Sequence, residues 1–119
     1  MEISELRDAC VSDAARATFD RLVEGFAARP DLSVFAHEKG FQSALRIERG
    51  EDWVFAAVPN DDGVLAYVRK PELRRGTVTP EALAAAFPGA RTAKSGEVIV
   101  LLASPDEAAR WLDVVAAGA

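Results

Sequence analysis

The sequence predicts an α+β fold with its helices mainly on one face of an antiparallel sheet. Three observations carry this. Apolar residues near both ends recur at helical spacing, and the central third alternates or runs apolar over strand-length stretches. The breaks between those stretches are too short for crossovers, so neighbouring strands must run antiparallel. The expected order is an N-terminal helix, a four-stranded antiparallel meander, a helix, a fifth strand and a C-terminal helix, in a single domain over residues 1–119.

From Ser12, the stretch SDAARATFDRLVEGFAARP sets Phe19, Leu22, Val23 and Phe26 on one helical stripe. Ser12 is the expected N-cap and Pro30 the expected stop. A shorter helix over Ile3, Leu6 and Cys10 precedes this one or runs into it. The period then changes. LSVFAH is strand-like, and FQSALRIER places Phe41, Leu45 and Ile47 on one side of a second strand. A two-residue turn at Lys39-Gly40 would oppose Val34 to Leu45 and Leu32 to Ile47, which unites the apolar sets. A three-residue loop would bring Ser33 to that face, so the shorter turn is expected.

WVFAAV is apolar on both faces, as in a strand covered on two sides. PNDDG reads as a turn, because Asn and Asp side chains bond the local backbone and Gly adopts positive φ freely, and VLAYVR follows as the fourth strand. In the last third, Thr79-Pro80-Glu81 supplies an N-cap, a proline in the first turn and a first-turn acid, for a helix ending near Pro88-Gly89. VIVLLA is a fifth, buried strand, which a helical crossover could place parallel to a neighbour. Ser104 and Glu107 have capping-box spacing, and the helix they open carries Ala108, Leu112 and Val115 on one stripe and ends at Gly118.

Composition narrows the function classes. A chain of 119 residues, half of them hydrophobic, buries roughly 65% of its unfolded surface, and no segment approaches the ~20 apolar residues of a membrane span. The start, MEISELRDAC, is acidic where a secretory leader is basic, and the lone Cys10 has no partner for an internal disulfide. Both favour a reducing cytoplasm. Arginine outnumbers lysine 11 to 3, which with abundant alanine points to a GC-rich bacterial genome. A net charge of −5 opposes general nucleic-acid affinity.

Side chains able to do chemistry are few. His37 is the only histidine, but adjacent Glu38 falls on the opposite side of a strand, and the expected register sets His37 across from Gln42 on the polar face. Cys10 sits in an apolar helical stripe, as a packed core thiol does. The pairs Asp61-Asp62 and Glu51-Asp52 flank turns and lack the alternating ligands and distal glutamate of a calcium loop. Phosphate-binding glycine loops and the nucleophile elbow are missing, so no cofactor and no metal is expected. Trp53, Phe55, Tyr67 and Trp111 could line an aromatic groove, although rings of this size more often fill a core or a helix–sheet interface.

The remaining candidate is RKPELRRG, residues 69–76. Residues 69–94 hold six basic and two acidic side chains, a net +4 that leaves −9 for the rest of the chain. Pro71 should end the fourth strand and Leu73 turn inward, so that Arg69, Lys70, Arg74 and Arg75 emerge at one corner near the N-terminus of the helix opened by Pro80. The arginines either hold a small anionic ligand or an acidic protein partner, or they pair with the acidic first helix. The function expected from these residues is a non-catalytic binding or protein-interaction module. The alternatives are a small enzyme using His37 as acid or base and weak nucleic-acid binding through residues 69–94.

Overall fold

The computed structural model describes residues 1–39 and 42–116. They form α1 (Ile3–Asp8), α2 (Asp13–Ala27), β1 (Ser33–Lys39), β2 (Gln42–Arg49), β3 (Asp52–Asn60), β4 (Gly63–Val68), α3 (Lys70–Arg75), α4 (Pro80–Ala86), β5 (Arg91–Thr92), β6 (Val98–Leu102) and α5 (Pro105–Ala116). The six strands make one antiparallel sheet in the order β1-β2-β3-β4-β6-β5, and α1, α2 and α5 pack on one side of it. No helix among the described residues is long and apolar enough to cross a membrane.

The helix starts follow the expected cap chemistry. Ser12 Oγ accepts from the Ala15 N–H at 3.0 Å, Thr79 Oγ1 from the Ala82 N–H at 3.1 Å, and Ser104 Oγ from the Glu107 N–H at 3.2 Å. Each satisfies a first-turn donor that has no partner within the helix. The short N-terminal helix is separate from α2, and Cys10 lies just beyond its end.

The β1–β2 register departs from expectation by two residues. Val34 pairs with Ile47 and Ala36 with Leu45, and the expected turn residue Lys39 is instead paired with Gln42. Gly40, Phe41 and Gly118 lie outside the described residues. A shift of two preserves the side on which every side chain falls, so Leu45 and Ile47 still face the core. His37 consequently faces Ala44 and not Gln42.

β6 is antiparallel to β4, against the parallel option. The connection contains two helices and then the short β5, which pairs antiparallel with β6 and so turns the chain once more before β6 is laid down. Gly63 is required where β4 meets the end of β6, because a Cβ there would stand 2.3 Å from the Leu102 carbonyl oxygen. The core lies between the sheet and the helices. Phe26 of α2 stacks on Phe55 of β3 at 5.4 Å, and Trp111 of α5 meets both edge-on at 5.8 and 5.7 Å.

The opposite sheet face carries no helical layer from α1, α2 or α5, and two of the large apolar residues on it, Phe35 and Leu101, are 37% and 41% exposed. The expectation that β3 is covered on two sides is met without a second layer. Its outward Ala56 and Val58 are buried beneath longer side chains of the same face.

Candidate functional site

The site starts from a break in strand pairing. Between β2 and β3, Ile47 faces Phe55 and Glu48 faces Trp53, so Val54 is an extra residue on the β3 side. A bulge of this kind reverses the alternation. Val54 and Phe55 both enter the core, and Trp53 is turned out onto the open face.

There the indole meets guanidiniums from the strands on either side of β3. Arg46 of β2 and Arg69, one residue past β4, each lie 4.3 Å from the ring centroid. The Trp53 Nε1–H donates to the Phe55 carbonyl at 2.8 Å, and the His37 ring stands edge-on to the indole at 5.1 Å. Each guanidinium has its own carboxylate: Arg46 Nη2 bonds Glu48 at 2.7 Å, and Arg69 Nε bonds Glu97 at 2.9 Å. Ala44 and Ala56 are too small to fill the space between these side chains. They floor a hollow of about 180 Å³ walled by Trp53, Val58 and Tyr67, with Arg69 and Glu97 at its rim.

The segment RKPELRRG forms the short helix α3, where the sequence implied only a strand end followed by a turn. Pro71 sits in its first turn, where a missing N–H costs no bond, and Gly76 closes it in the left-handed region at φ 79°. Leu73 packs against the core as expected. Glu72 is the surprise, being 1% exposed. Its Oε1 accepts from Arg49 Nη1 and from Arg75 Nη1, the latter at 3.4 Å. Two of the four candidate cations are therefore already paired, Arg69 with Glu97 and Arg75 with Glu72, and neither carboxylate belongs to the first helix.

Lys70 and Arg74 differ: among the described residues neither has a carboxylate partner, and both are exposed. They flank a cleft of about 300 Å³ between α3 and the segment leading into β6, lined also by Arg69, Pro71, Ser95 and Glu97. Arg75 does not line it, and neither does α4, so the helix opened by Pro80 contributes nothing to the cleft. A larger hollow of about 400 Å³ beside α2 and α5 is lined by Arg21, Arg29, Glu24 and Asp113, whose charges balance and offer no preference for either sign.

The other candidates stay apart. His37 lies against Trp53, and no side-chain hydrogen bond to it is made among the described residues. Cys10 is buried, and burial pushes its thiol pKa up, away from the thiolate a nucleophile needs. Asp61 and Asp62 remain at their turn, where Asn60 Oδ1 accepts from the Asp62 N–H at 2.9 Å. The four aromatics divide: Phe55 and Trp111 are core, whereas Trp53 and Tyr67 stand on the open face. Sequence reasoning overlooked Arg46, Ser95 and Glu97. Arg46 lies between Leu45 and Ile47 in an alternating strand, which was signal enough to place it on the open face. For Glu97, 28 positions from Arg69, the sequence holds no such signal.

An ion chain anchors this corner. Asp31 accepts from Arg29 Nη2 at 3.0 Å and from Arg49 Nε at 3.4 Å, and Arg49 continues to Glu72. Partial desolvation raises the Asp31 carboxyl, but the bond and charge of Arg29, followed by the bond from Arg49, more than reverse this and hold its pKa below the ordinary carboxylate value. A lowered folded-state pKa stabilises above the unfolded value of about 3.9, and that contribution is lost as pH falls through the folded value. Asp31→Asn should therefore lower the urea midpoint at pH 7 by the equivalent of a few tenths of a kcal/mol, since the pair is half-exposed. The gap from the parent should close in acid. A gap that is the same at pH 7 and pH 3 refutes the assignment.

Comparison of the chain with protein-family models, with curated proteins and with solved structures finds no match. What fold and site together define is an α+β protein whose open sheet face adjoins a cationic cleft.

Proposed function

We propose that the protein is a non-catalytic binding module of the reducing cytoplasm, and that it takes an acidic segment of a partner protein at the α3 corner. One observation carries this reading: Lys70 and Arg74 flank a cleft and have no carboxylate of their own among the described residues, whereas Arg69, the third cation lining it, is paired with Glu97. Such charges attract an opposite partner and are not held by internal pairs. The chain's overall −5 keeps the attraction local, which suits a short acidic stretch better than a nucleic-acid backbone. The indole stacking surface a nucleobase would use is already engaged by Arg46 and Arg69.

The test uses a fluorescent polyglutamate peptide at low ionic strength. Lys70→Glu combined with Arg74→Glu should weaken binding at least about tenfold, in the range of truncated interface charges. Arg91→Glu combined with Lys94→Glu changes net charge equally outside the cleft and should leave most of the affinity. Equal loss in both double variants, or loss in neither, refutes the assignment.

A further inference from the structure

We infer that the hollow beneath Trp53 and Tyr67 seats an apolar anchor of the same partner, so that the partner is an acidic peptide segment carrying an aromatic side chain. This rests on the binding reading above and adds a second subsite to it.

Continuity is the first argument. The cleft at α3 and the hollow on the sheet share Arg69 and Glu97, so a chain lying along one crosses directly into the other. The second is the contrast between their linings. The hollow has an apolar floor of Ala44 and Ala56 and walls of Trp53, Val58 and Tyr67, with charge confined to its rim. An apolar recess with a polar rim is the setting in which a single buried side chain dominates an interface. Trp53 is held rigidly there by its bond to the Phe55 carbonyl and by the two guanidiniums, so it is a preformed wall and little ordering is needed when a side chain enters the hollow beside it.

Charge complementarity fixes which part of the partner goes where. Arg46 and Arg69 are neutralised by Glu48 and Glu97, so the rim of the hollow offers no net charge to an acid. Lys70 and Arg74 are not neutralised. Acidic residues of the partner therefore sit at α3 and the ring on the sheet. A nucleic acid fits less well, because its phosphates recur at every nucleotide, and those over the hollow would stand beside Glu48 and Glu97 with no unpaired cation at its rim among the described residues. A second copy related by a twofold axis would bring the same two cations against themselves.

The indole N–H signals of Trp53 and Trp111 provide the readout in 15N-labelled protein, with Trp53→Phe assigning them. Two probes are compared at low salt: a hexapeptide of five glutamates ending in a phenylalanine amide, and the same peptide with alanine in that place. The phenylalanine peptide should bind about tenfold tighter, as expected for burial of most of a ring, and should move the Trp53 signal but not that of buried Trp111. Ala56→Leu, which fills the hollow, and Tyr67→Ser, which removes a wall, should each abolish the tenfold preference while keeping the affinity for the alanine peptide. Lys70→Glu with Arg74→Glu should weaken both peptides.

Equal affinity for the two peptides overturns the anchor subsite and leaves the cationic site standing. Binding of neither overturns both. A larger Trp53 shift with a short oligonucleotide than with the phenylalanine peptide, or signals that depend on protein concentration alone, replaces the peptide by nucleic acid or by a second copy.

Discussion

Trp111→Ala should destabilise the protein by about 3–5 kcal/mol, the range for emptying the site of a buried aromatic ring. Trp111 has no exposed surface and stands edge-on to both Phe26 and Phe55, so it joins α5 to α2 and to the centre of the sheet in one contact. Its truncation would open a cavity where three elements meet, and helices on two sides must move together to fill it. Against a total stability of about 5–15 kcal/mol, the variant is left marginal. The indole has one defect: its Nε1–H is buried with no acceptor among the described residues. Trp111→Phe removes that unmet donor, worth about 1–3 kcal/mol, together with part of the volume, and should therefore cost clearly less than the alanine variant. Urea unfolding of both, with unchanged slope, is the measurement. A cost below about 1 kcal/mol for Trp111→Ala would show that this ring does not hold the layers together.

The parts of this fold that local chemistry determines were legible. Ser12, Thr79 and Ser104 each make the cap bond their position in the sequence implies, because a cap depends only on residues within one turn. The β1–β2 register was two residues off, since the alternation of apolar residues constrains parity and not the pairing itself. The face that Trp53 takes was not legible, for a deeper reason. This residue shares odd numbering with Phe55, and only the extra residue Val54 separates their faces, which depends on how β2 pairs with β3 and leaves no local mark. Residues 69–76 were expected to bring Arg69, Lys70, Arg74 and Arg75 to one corner, and the first three of these line one cleft. Which of the cations are free could not be read, because the compensating carboxylates are Glu97, distant in sequence, and Glu72, which looks like any solvated acid among arginines. Six residues form no stable helix alone, so α3 exists through contacts that sequence periodicity does not express.

Those contacts make Arg49 the residue on which the α3 corner depends. Arg49 lies at the end of β2, donates to buried Glu72 and also reaches Asp31, tying the sheet and the segment before β1 to α3. Arg49→Ala should cost about 3 kcal/mol, the low end for breaking a buried pair by removing one partner, because it leaves the Glu72 carboxylate inside with only Arg75. Arg75 is a weak substitute, at 3.4 Å and 43% exposed. Glu72→Gln should cost less, since a neutral amide oxygen still accepts from Arg49 and no buried charge is stranded. Replacing both partners, Arg49→Met with Glu72→Leu, should recover most of the loss, because an apolar pair of similar volume carries no desolvation cost. The double variant also separates stability from placement. If the ion pair serves only to hold α3 down, the peptide binding proposed at Lys70 and Arg74 returns with stability; if its geometry aims α3, stability returns and that binding stays weak. A double variant no more stable than Arg49→Ala would refute the pairwise account of this corner and assign the loss to packing of the Arg49 side chain itself.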